Sequence, residues 1–170
     1  MSEELVVPIL LAIAAALSVV GLATGKAARI VTGASAALLL LALLDGWGSS
    51  PADDLNKAAT AMAAVLAVAG GGLVTTQVFS FVEDPERVNS AGAVLRGGAW
   101  IGALERLAVF VALVAGWAPG LAIVLAVKGL GRYPELRNQD DTGVAERFII
   151  GTFTSVLWAV ACAGAAVLAP

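Results

Sequence analysis

The chain has 170 residues, 59% of them drawn from the hydrophobic set, 14% charged, with a mean hydropathy of +0.92. Soluble domains are roughly half apolar and about a quarter charged, so a water-soluble globular domain is excluded as the leading reading. No histidine and a single cysteine, Cys162, exclude a disulfide scaffold, a zinc cluster and imidazole catalysis, and the net charge of -3 with scattered basic residues argues against a nucleic-acid partner.

Backbone polar groups in a bilayer must be satisfied inside helices or closed barrels. Runs such as Leu5 to Thr24 and Ala58 to Phe81 are apolar on every face rather than alternating, so the expected fold is all-α, a single polytopic transmembrane helical bundle. The first helix is expected over residues 5–24, long enough for a hydrocarbon core of roughly 30 Å. The segment before it, Met1-Ser2-Glu3-Glu4, lacks the positive stretch of a cleaved secretory signal, so this helix is expected to be retained.

After a polar turn at Gly25, Lys26 and Arg29, the second helix is expected over 30–44, ending in Asp45-Gly46-Trp47-Gly48-Ser49-Ser50-Pro51. The third spans 55–81 and carries Gly70-Gly71-Gly72 in its interior, where a neighbour can approach closely or the helix can bend. Leu107 to Val127 then admits two readings. It is either one kinked span, giving five spans in all, or a hairpin of helices 92–116 and 119–132 turning at Gly116-Trp117-Ala118-Pro119-Gly120. The last helix is expected over 145–168.

Charge asymmetry separates the two, because loops rich in Lys and Arg stay cytoplasmic. Six helices in three hairpins place both termini outside and nine of the ten basic residues inside, with only Lys57 outside. Five spans move Lys128, Arg132, Arg137 and Arg147 outward and leave an even split. The hairpin is therefore preferred, in the cytoplasmic membrane of a bacterium, an origin that the Ala-rich, Arg-over-Lys composition also points to.

In this topology Glu105 and Lys128 lie 11 and nine residues from the turn, both about 14 to 17 Å from its tip at 1.5 Å per residue. Ionisable groups at such depth must pair, snorkel or face a cavity, so an ion pair between them is expected. Arg106, Arg132, Glu146 and Arg147 complete a candidate buried polar cluster, with Arg106 and Arg132 expected to snorkel to phosphate headgroups and Glu135 as a further member. Gly98, Gly102, Glu105, Val109, Ala112 and Gly116 form one helix face of mostly small residues, a surface for a neighbouring helix or, if the chain transports, for a second copy. Thr152, Thr154 and Ser155, with Thr75, Thr76 and Gln77, are hydroxyl and amide groups that could serve a buried charge or bond back to the preceding turn. The Cys162 thiol reads as a small buried hydrophobe.

Three functions follow in order. The first is a non-enzymatic structural or accessory membrane component, with the lipid bilayer as its partner and no cofactor, metal site or catalytic residue. The second is a small channel or carrier subunit, homo-oligomeric, in which the cluster takes an ion or proton. The third is a lipid-modifying enzyme with an anionic headgroup at Arg106, Arg132 and Arg147. Aspartate pairs of membrane phospho-alcohol transferases, a phosphate loop and a Gly-x-Ser-x-Gly elbow are all absent from the sequence.

Gly98 to Arg106 (GAWIGALER), Lys128-Gly129-Leu130-Gly131-Arg132-Tyr133-Pro134-Glu135-Leu136, and Glu146 to Phe153 followed by Ser155 resemble a pattern of small, largely actinobacterial integral-membrane proteins. The pattern is similar also to the C-terminal part of a broader domain family of unknown function. The resemblance covers about residues 96–160 and implies membrane embedding but no activity.

Overall fold

The computed structural model describes residues 5–24, 28–45, 53–82, 98–137 and 142–168, all but Leu5 and the residues 115–118 within six helices, and it contains no strand among them. The helices are α1 (Val6–Thr24), α2 (Ala28–Asp45), α3 (Asp53–Val82), α4 (Gly98–Val114), α5 (Pro119–Arg137) and α6 (Thr142–Leu168). The order and number match the expectation. Arg29, expected in the first polar turn, lies in α2, and Asp53 and Asp54, expected in the second loop, open α3; residues 25–27, 46–52 and 83–97, the last including the first turns assigned to the fourth helix, lie outside the described residues. α5 continues past the expected stop at Arg132, through Pro134 to Arg137.

α3 is the central element. It packs against α1, α6 and α4 and touches α2, whereas among the described residues α5 makes an extensive contact only with α4. The contact surfaces are built from small residues: Ala59, Ala63 and Ala67 on α3, Ala14 and Ala15 on α1, and Ala159, Ala163 and Ala166 on α6 are all buried. Spacings of three and four put the α3 set and the α6 set each on one helix face, and the short side chains let backbones approach. Leu11, Leu66, Phe110 and Trp158 fill the space that remains. Between α1 and α2, Ser18 Oγ donates to Ser35 Oγ at 3.0 Å and Ser35 Oγ donates to the Ala14 carbonyl at 3.3 Å, both hydroxyls fully enclosed.

Residues 107–127 form two antiparallel helices, which overturns the single kinked span. Gly116 adopts φ +70. Its N–H donates to Leu113 O at 3.0 Å and the Trp117 N–H donates to Ala112 O at 2.8 Å, the paired bonds of a Schellman stop. Pro119 then opens α5, at a position where a missing N–H costs nothing. Gly120 lies so close that a Cβ there would stand 2.6 Å from the Trp117 ring and 2.7 Å from Ala112 Cβ.

Gly116→Ala places a side chain in the left-handed region and is expected to destabilise the chain by about 1 kcal/mol. SDS-driven unfolding followed by circular dichroism measures it; an unchanged midpoint would show that the turn carries no strain.

Among the described residues, two segments, Asn56–Phe81 (26 residues) and Ala145–Val167 (23 residues), are long and apolar enough to cross a membrane. Val6–Gly21 and Ile30–Ala42 are shorter apolar helical segments.

Candidate functional site

Glu105 and Lys128 meet across the α4–α5 hairpin, the Lys128 ammonium donating to Glu105 Oε2. Their side chains are 18% and 17% exposed, so the pair is covered by the two helices without being sealed off. The small-residue face of α4 is what makes this approach close. Ala112 faces Gly120, and Glu105 sits two turns below on the same face. At these two positions the stripe meets α5.

Arg106 departs from the expected snorkelling. It is 8% exposed and points away from the ion pair, into the contact of α3, α4 and α6. Its Nε and Nη2 donate to the Val68 carbonyl at 3.0 and 2.8 Å, and its Nη1 donates to Ser155 Oγ at 3.3 Å. A guanidinium aims two N–H bonds in parallel, so one carbonyl can fix the plane of the whole group.

The seat for it is the glycine triplet of α3. In a helix the side chain at i+4 leans back over the carbonyl at i. Gly70 and Gly72 carry none, and they stand four residues after Leu66 and Val68, whose carbonyls accept from outside the helix. Trp158 Nε1 donates to Leu66 O at 3.0 Å, beside the Arg106 bonds to Val68 O. A Cβ at Gly70 would lie 2.8 Å from the Trp158 ring, and one at Gly71 would overlap Arg106 Cδ. The triplet thus serves close approach; α3 runs through it without interruption.

The remaining candidates are distributed elsewhere. Arg147 stacks over Phe79 with its guanidinium carbon 5.8 Å from the ring centroid, a cation–π contact between α6 and α3. Arg132 is half-buried on α5, one turn beyond Lys128, and Glu146 is exposed near the start of α6. The side chain of Glu135 lies outside the described residues. Of the hydroxyls singled out in the sequence, Ser155 serves the buried charge, while Thr75 and Thr76 bond back to Gly71 O and Gly72 O at 2.8 and 2.9 Å. The enclosed atoms Thr32 Oγ1, Gln77 Oε1 and Thr152 Oγ1 have no hydrogen-bond partner. Cys162 is fully buried.

Trp158 and the Val68 carbonyl are the partners that sequence reasoning missed. Among the described residues no group of three or more His, Cys, Asp or Glu side chains is gathered to hold a metal ion. Compared with known protein families, characterised proteins and solved structures, the chain matches none.

Proposed function

We propose that the chain is an integral protein of a bacterial cytoplasmic membrane, crossing it six times with both termini outside, and that it is a non-enzymatic structural or accessory component of that membrane. The observation that carries this reading is the inverted distribution of side-chain size. Alanine, serine and glycine occupy the helix contacts, while Ile13, Val20, Leu40, Phe81, Trp100, Leu104, Leu130, Phe153 and Leu157 are exposed. In water such a surface would aggregate, whereas lipid solvates it, and helix association in lipid runs on the close packing of small residues. Nine of the ten basic residues on one side of the proposed topology support the same orientation.

The buried charges support a structural role. Arg106 spends its directional bonds on Val68 O and Ser155, and Glu105 neutralises Lys128, so each cation tightens a helix contact. Two concavities are open grooves on the surface, one lined by Lys57, Thr60, Ala64 and Val114, the other by Leu39, Val74, Leu157 and Trp158.

A small channel or carrier is the second reading, favoured by the unpartnered Gln77 Oε1 and Thr152 Oγ1 inside an otherwise apolar packing. Reconstitution into vesicles of phosphatidylethanolamine and phosphatidylglycerol, with ion- and proton-sensitive dyes, separates the two. A structural component gives no flux in the native chain, and Glu105→Gln lowers stability by about 1 kcal/mol, the range of a polar contact between membrane helices. A native flux that disappears in Glu105→Gln, with helicity unchanged, would establish the channel instead.

A further inference from the structure

Among the described residues α5 rests on α4 and has no other extensive contact, so most of its surface meets no other described element. Ile123, Val127 and Leu130 are 51%, 64% and 74% exposed, and on the neighbouring flank of α4 Trp100 and Leu104 are equally open. Lipid could cover apolar side chains alone. The Glu105–Lys128 pair changes the requirement, because it lies in this hairpin and remains partly accessible.

The Lys128 ammonium bonds Glu105 Oε2, and the Arg106 guanidinium, one residue on, adds its charge to the field at the same carboxylate. A carboxylate has a second oxygen and an ammonium has further N–H donors, so Glu105 Oε1 and part of the Lys128 headgroup are unspent. At about 14 to 17 Å from the hairpin tip, on the six-span reading, neither reaches the outer headgroups, and leaving them to hydrocarbon is costly. What satisfies them must offer both a cation and an anion, at the same depth, on an apolar helix face.

We propose that this face of the α4–α5 hairpin is the interface between two copies of the chain, side by side in the membrane. Glu105 and Lys128 share one depth, being bonded to each other. A two-fold axis along the membrane normal preserves depth and exchanges left with right. It therefore sets Glu105 of one copy opposite Lys128 of the other, and the reverse, and the two pairs close into a four-membered ring of alternating charge. Self-complementarity of this kind is the property of an isologous contact. A Cβ built on Gly131, about 40° around α5 from Val127, meets nothing within 4 Å, so the chain leaves room on that flank for a second backbone to come near.

The inference rests on the membrane-spanning reading, and its test keeps the two apart. The full chain with Cys162→Ala is reconstituted in phosphatidylethanolamine–phosphatidylglycerol vesicles, carrying Val127→Cys or Leu130→Cys on α5, or Ile13→Cys on α1 as the control. Copper-phenanthroline oxidation is expected to give a covalent dimer from an α5 position at about ten-fold the yield of the control. Glu105→Gln with Lys128→Met lowers that yield about ten-fold at unchanged helicity, in line with two lost polar contacts between membrane helices. The exchange Glu105→Lys with Lys128→Glu restores it, because the ring alternates in either sense.

Equal cross-linking from Ile13→Cys, or single-step photobleaching of a dye-labelled chain retained in the vesicles, overturns the pairing and leaves lipid as the cover of α5. Release of the chain from vesicles by alkaline carbonate overturns the membrane reading itself.

Discussion

Gly71→Val is expected to unfold or severely loosen the bundle, at a cost of about 3 kcal/mol or more. The estimate has two parts. A side chain at position 71 overlaps Arg106 Cδ, and overpacking of a closed contact costs roughly 1 to 3 kcal/mol. Arg106 can yield only by giving up its bonds to Val68 O and Ser155, and hydrogen bonds of a charged donor contribute about 1.5 to 3 kcal/mol each. Gly33 on α2 supplies the control: a Cβ there meets nothing within 4 Å, so Gly33→Ala should leave stability unchanged or raise it by up to about 1 kcal/mol. A double-mutant cycle makes the cause specific. Arg106→Ala removes the group that Gly71→Ala collides with, so the two substitutions together should cost less than their sum by about 1 kcal/mol or more. SDS-driven unfolding monitored by circular dichroism reads all of these, and strict additivity would show that glycine 71 matters for something other than the arginine.

The second large effect is expected at Trp158. The side chain is 8% exposed, fills the gap beside Gly70, and ties α6 to α3 through Leu66 O. Trp158→Ala leaves a large cavity and should cost about 3 to 5 kcal/mol. Trp158→Phe keeps most of the ring and loses the N–H donor, so about 1 to 2 kcal/mol is expected, the value of a buried hydrogen bond with a small residual void. The order native, Phe, Ala in unfolding midpoint is the measurable outcome. If Phe and Ala fall together, the hydrogen bond dominates and the packing contributes little.

Six helices and the tight turn at Gly116 were legible because each is a local property. Glycine and proline at the right offsets stop and start helices wherever they occur, and the apolar runs between them measure the element lengths. The Glu105–Lys128 contact was legible for a related reason: in a hairpin, distance from the turn along one arm predicts depth along the other. Arg106 was not. Its partners lie 38 and 49 residues away, on helices to which no short turn connects it. From sequence, an arginine beside a glutamate near a helix's polar end reads as a surface group whose stem reaches for the headgroups. The signal that could have placed it was the triplet at 70–72, since carbonyls uncovered by glycine in a membrane helix need a donor from a neighbour, and few side chains are long enough to supply two N–H bonds at once.

The turn at Gly116 has a consequence for how the chain is made. α5 is absent from the segments apolar enough to cross a membrane unaided, and it contains Lys128 and Arg132. A lysine at the middle of a lone helix opposes transfer into lipid by about 2.5 to 3.5 kcal/mol, and a glutamate in α4 opposes it similarly. The two arms are joined by four residues, and Glu105 and Lys128, paired with each other, offset one another's charge, which lowers the cost of moving the arms into the bilayer together. In the proposed six-span chain α4 would then wait at the insertion machinery until α5 has been synthesised, and the pair would leave the translocation channel together; the stop at Gly116 would set the order of biogenesis as well as the shape of the product.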